Sequence, residues 1–256
     1  MNGETLLRLA LVPAAVWLAS LAARRWGHVV SGYLGGLPMI GGPITLFLAF
    51  DLGAQFAAHS ALVTLAAVVG QAAHLLTFAH VGRRAGWALA LACGWLAFFA
   101  VAIAAAWLPL TPLLALAIAL AGLAAAWMWL PPIRGDATLP AIPALELRLR
   151  LAAAFVLAGL ILWSAPVFGP VVSGVLLSLP ITGSIMPPFT LALYGPDAVA
   201  RLTRGFVVGL CGFTAFFFTV ASTATHWGIA ASFAAAVVAA LAAIFVASHG
   251  ARPHRP

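Results

Sequence analysis

The chain has 256 residues, of which 64% are hydrophobic and only 7% are charged, whereas about a quarter of residues are charged in an average soluble domain. This composition excludes an ordinary soluble protein, and it excludes a disordered chain, which has few apolar residues and many charges. The net charge of +7 does not indicate nucleic-acid binding, because the arginines are scattered in pairs between apolar stretches. What remains is an all-α integral membrane protein with several spans.

Nine apolar stretches approach or exceed the roughly 20 residues that a membrane-spanning helix needs. In chain order they are residues 6–23, 28–50, 55–81, 86–108, 112–130, 148–165, 167–194, 197–222 and 227–248, here called spans one to nine. A polar connector, residues 131–147, separates spans five and six. Glu4 and Arg8 leave the first flank without net positive charge, so we interpret span one as retained and not as a cleaved signal peptide.

The arginines predict an orientation in the membrane. If every span crosses once, eleven of the twelve arginines lie on one side and only Arg8 lies on the other. Basic loops stay in the cytoplasm. We therefore expect a bacterial inner (plasma) membrane protein with its N-terminus outside and its C-terminus in the cytoplasm.

A short segment of span two recurs in span seven. Residues 27–41 read GHVVSGYLGGLPMIG and residues 169–183 read GPVVSGVLLSLPITG, with nine of fifteen positions identical at an offset of 142. An odd number of crossings separates the two copies, so they run in opposite directions. This predicts a five-plus-four inverted repeat: residues 1–131, a cytoplasmic connector at 132–147, and residues 148–256. Inverted repeats are typical of transporters, although a purely structural relic of duplication stays open.

The repeat is expected to continue weakly into the spans that follow. Small residues on one helix face allow close helix contact. The proposed correspondence sets Ala66, Gly70 and Ala73 against Gly205, Gly209 and Gly212.

Glycines and prolines interrupt both copies near the middle of their spans, where proline removes a helical hydrogen bond. We expect two half-helices in each span, around extended pieces at residues 37–42 and 179–186, with the second half-helices beginning at Pro43 and near Pro187. Irregular backbone at this depth is buried in protein or lines a cavity, and paired interruptions indicate a transporter binding site.

The interruptions and the hydroxyls beside them define the candidate substrate site. Its residues are Ser31, Pro38, Gly41, Gly42, Thr45, Ser173, Pro180, Thr182, Gly183, Ser184 and Thr190. The alternative for each hydroxyl is that it satisfies a backbone group freed by the interruption.

Ionisable residues inside a membrane are functional candidates. Asp51 and Asp197 lie at span ends, in comparable places of the two halves; we interpret them as helix caps or first-turn acids, with gating as the alternative. The sequence suggests no acid inside a span, which disfavours a carboxylate-based coupling site. In span three, Gln55, His59, Thr77 and His80 share one face, and we expect this polar stripe to face the bundle or a cavity. His74 and His59 are the candidate proton relays, with a packing role as the alternative.

The sequence contains no motif for hydrolysis, phosphate binding, metal ligation or a cofactor, so we expect no catalytic residue, metal or cofactor. The preferred hypothesis is a small secondary transporter or permease that moves a small polar or anionic solute by alternating access around spans two and seven. Its expected partners are the lipid bilayer and that solute, with no nucleic acid; a homodimer stays open. The rival hypotheses are an intramembrane lipid-modifying enzyme with His74 or His59 as base, and an accessory subunit of a membrane complex.

Overall fold

The computed structural model describes Ala14, Trp17, residues 27–133 and residues 143–250. Predicted span one lies almost wholly outside this part of the chain. The described residues form helices and short connections, with no strand. The helices are α1 (Gly27–Gly36), α2 (Gly41–Leu52), α3 (Ala54–Ala66), α4 (Val68–Val81), α5 (Trp87–Ala106), α6 (Pro112–Trp129), α7 (Ala144–Leu177), α8 (Ile181–Trp227) and α9 (Ile229–Gly250).

Six helical stretches in the described residues are long and apolar enough to cross a membrane. The longest, Ala144–Trp227, has 84 residues, which as one straight helix would extend about 126 Å, four times the hydrocarbon thickness. The composition and these helices together support membrane insertion. Span Ala54–Val81 is the most enclosed, with 72% of its apolar window buried, so it lies at the centre of the bundle.

Glycines in a left-handed, extended conformation separate the helical segments. Gly53 has φ 92° and ψ 164° and precedes α3, while Gly169 (φ 77°, ψ −175°) divides α7 and Gly195 (φ 78°, ψ −177°) divides α8. A fourth, Gly228 with φ 78° and ψ 168°, ends α8. A side chain is strained at such angles, so these glycines set the segment boundaries. The divided helices comprise residues 144–168 and 170–177, and residues 181–194 and 196–227.

The segment boundaries recur at the offset found in the sequence. Gly53 and Gly195 precede the two central helical segments, and Gly86 and Gly228 precede α5 and α9. Both pairs are separated by 142 residues, like the repeated segments at residues 27–41 and 169–183. These boundaries therefore share the spacing of the two similar sequence segments.

Close helix contacts follow the same register. A Cβ added at Gly70 would lie 3.0 Å from both the Ala102 Cβ and the Phe98 carbonyl oxygen in α5. The residues 142 positions later repeat this contact, since a Cβ at Gly212 would lie 2.7 Å from Ile244 and 3.0 Å from the Ala240 oxygen in α9. The predicted correspondence of Gly70 with Gly209 is thus wrong by three residues.

Contacts between the N-terminal and the C-terminal parts of the chain also recur at the offset of 142. A Cβ added at Gly32 in α1 would lie 2.3 Å from the Leu202 carbonyl oxygen, and one at Gly174 in α7 would lie 2.6 Å from the Ser60 carbonyl oxygen. The offset of 142 converts Gly32 into Gly174 and Ser60 into Leu202. Gly32 and Gly174, which are 142 residues apart, therefore both pack closely against the backbone of another helix.

Both repeated segments contain an interruption, but its bounds differ from those expected. Helix α1 ends at Gly36 and α2 begins at Gly41, while α7 ends at Leu177 and α8 begins at Ile181. The expected helix starts at Pro43 and Pro187 are therefore wrong. Pro43 lies in the first turn of α2, where its missing N–H has no consequence, and Pro187 lies inside α8.

The predicted connector is also shorter than expected at its C-terminal end. Helix α7 begins at Ala144, so Glu146 and Leu147 belong to a helix and not to a polar loop. The expectation failed because the charges of this segment resemble a solvated loop, whereas two of them are buried against each other.

Candidate functional site

A cavity of about 80 Å³ lies between the two interruptions. Its wall comprises Leu34, Gly35, Gly36, Leu37, Met39, Ile40 and Gly41 from the first interruption; Leu177, Leu179, Pro180, Ile181, Thr182 and Gly183 from the second; and Gln71, Leu75, Arg150, Leu157, Phe206, Leu210 and Phe213 from neighbouring helices. The wall is mostly apolar, with a few polar groups, as is usual for small-molecule sites.

Residues that are 142 positions apart in the sequence occur together in the wall. At the offset of 142, Leu37 matches Leu179 and Gly41 matches Gly183, and both members of each pair line the cavity. The two sides differ in chemistry. The residue 142 positions after the polar Gln71 of α4 is the apolar Phe213 of α8, and both line the cavity.

Four predicted site residues line the cavity, namely Gly41, Pro180, Thr182 and Gly183. The others lie elsewhere. Gly42 faces Phe216, whose Cζ would be 3.4 Å from an added Cβ. Pro38 lies in the first interruption, and its carbonyl oxygen accepts a hydrogen bond from the Gly42 N–H at 2.8 Å.

The predicted hydroxyls mainly serve their own helices. Thr45 Oγ1 donates to the Gly41 oxygen at 2.7 Å, Ser173 to the Gly169 oxygen at 2.9 Å, and Ser184 to the Pro180 oxygen at 2.7 Å. These are bonds from a hydroxyl to the carbonyl four residues earlier, as is common for Ser and Thr in helices, and none of the three residues lines the cavity. Thr190 is buried in α8 but does not line the cavity, and the side chain of Ser31 lies outside the described residues.

Three polar side chains of the central span hold the second repeated segment. Thr64 Oγ1 lies 2.8 Å from the Ser60 oxygen of its own helix and 3.1 Å from the Gly174 oxygen, and its one proton is available to either acceptor. Gln71 Nε2 donates to the Ser178 oxygen at 2.7 Å. His74 Nε2 lies 3.2 Å from the Gly183 oxygen. Carbonyls freed at an interruption need such partners inside a membrane, so these residues fix the geometry of one cavity wall.

His74 replaces a helical hydrogen bond that proline removes. The donor for the Gly183 carbonyl in a regular helix would be the N–H of residue 187, which is proline. His74 is fully buried and packs edge-on against Trp95, with ring centroids 5.9 Å apart. Since a carbonyl only accepts, Nε2 carries the proton, and this leaves Nδ1 as the unprotonated nitrogen of the neutral ring.

The predicted polar stripe of span three does not face the bundle. Gln55, His59 and His80 are exposed, whereas Gln71 and His74 on another face are buried. The expectation was wrong because helical periodicity gives only the angles between side chains around the helix axis. Those angles do not determine which face meets the neighbouring helices. His59 lies outside the cavity wall, so it is not positioned as a relay beside His74.

An ion pair that was not predicted lies next to the cavity. Glu146 and Arg150, one turn apart in α7, form a salt bridge with side-chain exposures of 7% and 6%. Arg150 lines the cavity. The expectation that no acid lies inside the bundle is therefore wrong. The i, i+4 spacing of opposite charges was the available signal, but such a pair is more often exposed to solvent.

The two span-end aspartates differ from each other. Asp51 lies in the last turn of α2, and Gly53 is the N-cap residue of α3, so Asp51 is neither the N-cap nor a first-turn acid of α3. Asp197 follows Gly195 and Pro196, in the first turn of its helical segment, and pairs with Arg83 at 3.1 Å. At the offset of 142 it corresponds to Gln55, so the aspartates are not equivalent.

The described residues contain no group of three or more His, Cys, Asp or Glu side chains that could hold a metal ion. Comparison of the chain with protein families, with characterised proteins and with solved structures finds no match. The function must therefore be argued from the cavity itself.

Proposed function

We propose that the protein is a small secondary transporter whose substrate site is the cavity between the two interruptions. The observation that carries this proposal is that equivalent positions of the two halves, Leu37 with Leu179 and Gly41 with Gly183, line the same cavity. A site on the axis that relates inverted halves keeps its lining when the halves exchange inward and outward arrangements, which is the geometry of alternating access.

The finer architecture that we propose has nine spans. Span one precedes the described residues, and residues 27–52 and 169–194 are the broken spans. The close contacts that recur at the offset of 142 support an inverted repeat. We propose the five-plus-four division for this repeat, with residues 1–131 and 148–256 as the two parts.

The proposed orientation places the basic loops in the cytoplasm of a bacterial inner membrane, with the N-terminus outside. Arg83, which follows span three, donates to the Pro132 carbonyl after span five and pairs with Asp197 at the start of span eight. These contacts join three segments that single crossings assign to the same side. This agreement supports the odd number of crossings between the repeated segments, on which their inversion depends.

The rival enzyme hypothesis has less support. A general base needs an accessible nitrogen and a group that orients it. His74 is fully buried, with its Nε2 used by the Gly183 carbonyl. His59 is exposed and outside the cavity wall. The accessory-subunit hypothesis is distinguished by the experiment, because such a subunit needs no solute site.

The proposal is tested at the glycines of the interruptions. A Cβ at Gly183 would meet Leu75 Cδ2 at 3.5 Å, and a Cβ at Gly41 would meet Phe217 Cζ at 3.1 Å. Alanine therefore fits at Gly183 with ordinary contacts and at Gly41 if the Phe217 ring shifts slightly. Gly42→Ala is the matched control, because its Cβ also fits but its position lies outside the cavity wall.

The measurement is the ligand-induced thermal shift of purified protein over a panel of small metabolites, followed by uptake into proteoliposomes. We expect Gly41→Ala and Gly183→Ala to lower affinity or transport more than membrane yield, and Gly42→Ala to leave both near wild type. If the wild type responds to no solute, or if both wall variants keep every wild-type response, the transporter proposal is rejected.

A further inference from the structure

The charge at the cavity wall is positive. Arg150 is the only charged side chain among the described wall residues. Two helix starts contribute to the same wall, Gly41 at the start of α2 and residues 181–183 at the start of α8. A helix start carries partial positive charge, and at these two starts the Gly42 and Ile181 N–H groups donate to the Pro38 and Leu179 carbonyls, so the contribution to an anion is the field of the helix starts and not those two donors. A buried guanidinium and two helix starts together favour a negatively charged solute.

When no solute is bound, Glu146 compensates the charge of the buried Arg150 guanidinium. Removing either partner of a buried ion pair is costly, because an uncompensated charge remains. A guanidinium has five N–H donors in a planar fork that matches a carboxylate. Arg150 lines the cavity and Glu146 does not, so an anion bound in the cavity meets the residue with the positive charge and not its acidic partner.

The cavity volume and the apolar wall residues limit the size and the chemistry of the solute. A volume of about 80 Å³ accommodates only a few non-hydrogen atoms beyond the charged group. Leu157, Leu177 and Leu179 line the cavity, and they would contact an alkyl tail. A short-chain monocarboxylate meets both requirements, because it combines one anionic fork with a small apolar tail. A multiply charged anion such as phosphate has no tail to place against the leucines.

We propose that the protein binds a short-chain monocarboxylate in this cavity, with Arg150 as the anion-recognition residue and Glu146 as the counter-ion that the solute partly displaces. This rests on the proposed transport function and names its substrate class. The binding step exchanges one carboxylate partner of the guanidinium for another, and no covalent bond changes.

The sequence gives an independent indication that this pair matters. Residues 4–10 read ETLLRLA and residues 146–152 read ELRLRLA, with five of seven positions identical at the offset of 142. Glu4 and Arg8 thus repeat the spacing of Glu146 and Arg150. Residues 4–10 lie outside the described residues, so this is a comparison of sequences alone. Repetition of the motif is expected if both halves must offer the same charge pair in turn.

The test uses sodium propionate as the charged probe and propionamide as a neutral probe of the same shape, with purified full-length protein. We expect propionate to stabilise the wild type and to be taken up by proteoliposomes, and propionamide to do neither. The double variant Glu146→Gln with Arg150→Gln removes both charges together, which avoids an unpaired buried charge. It should bind propionate at least tenfold more weakly.

Two further variants complete the design. Arg148→Gln is the matched control, because Arg148 lies in the same helix but is exposed, and it should bind propionate like the wild type. Glu146→Gln alone should bind propionate more tightly, because the Glu146 carboxylate no longer competes for the guanidinium. If the variants fail to fold, the comparison of propionate with propionamide on the wild type decides the matter.

The inference is overturned if propionamide binds as well as propionate, if the double variant keeps wild-type affinity, or if Glu146→Gln weakens binding. Its failure is distinguishable from failure of the transport proposal. If neutral polar solutes bind and Gly183→Ala abolishes that binding, the site stands and only the substrate class is wrong. If no solute of either kind binds, both proposals fail.

Discussion

The hydrogen bond from His74 to Gly183 provides the sharpest test of how the second interruption is held. Pro187 leaves the Gly183 carbonyl without its helical donor, and His74 Nε2 supplies one at 3.2 Å in a fully buried position. His74→Phe keeps a ring against Trp95 but removes the donor. A buried carbonyl without a hydrogen-bond donor lowers the free energy of unfolding by about 1–3 kcal/mol. For a chain of this size, this corresponds to a fall in Tm of about 2–12 °C.

Combining His74→Phe with Pro187→Ala tests whether the loss comes from the hydrogen bond to Gly183. Alanine restores an N–H at position 187, which can bond the Gly183 carbonyl within the helix, so His74→Phe should cost about 1 kcal/mol less in this background than in the wild type. Tm would be measured by tryptophan fluorescence of detergent-solubilised protein, with exposed His80→Phe as the control. Equal losses in both backgrounds would refute the reasoning.

His74→Gln separates the structural role from proton transfer. The glutamine amide can still donate to Gly183, so we expect its Tm to stay closer to wild type than that of His74→Phe. If His74 also carries protons, transport by His74→Gln should lose its pH dependence. Unchanged pH dependence would leave His74 with the packing role alone.

Two further predictions concern the repeat. Gly32→Ala and Gly174→Ala should both lower Tm strongly, because each Cβ would lie within 2.6 Å of a backbone oxygen of the other half; Gly86→Ala, with no atom within 4 Å, should be nearly neutral, and a stable Gly32→Ala beside an unstable Gly174→Ala would argue against their equivalence. Reporter fusions after Arg84 and Leu108 should report cytoplasm and exterior respectively, and a cytoplasmic result at Leu108 would remove the inversion.

The sequence alone was enough to predict the class, an all-helical protein with several helices apolar enough to cross a membrane. Apolar runs near 20 residues are specific to membrane helices, because backbone polar groups must be satisfied within the segment there. The helical stretches found among residues 27–133 and 143–250 agree with those runs to within a few residues at most ends. The similar GHVVSG and GPVVSG segments suggested the offset of 142, and Gly32 and Gly174 within them both make close backbone contacts.

Only the tertiary structure decided which polar and small residues face inward. The angles between side chains on one helix grouped His59 with His80, yet both are exposed and the cavity side belongs to Gln71. Helix propensity would make alanine harmless at Gly122, but its Cβ would lie 2.8 Å from Val69 Cγ2. Periodicity gives the relative angles within a helix, whereas the direction of the whole set depends on the neighbours against which it packs.

The buried ion pair shows the same limit most clearly. Glu146 and Arg150 have the composition of a solvated connector, and their spacing fits an exposed helix equally well. They are buried because α7 begins before them and turns this face toward the cavity. A charge is retained in such a place only where a partner of opposite sign lies close, and that closeness is a property of the folded chain, set by the helix that brings the two side chains one turn apart against the bundle.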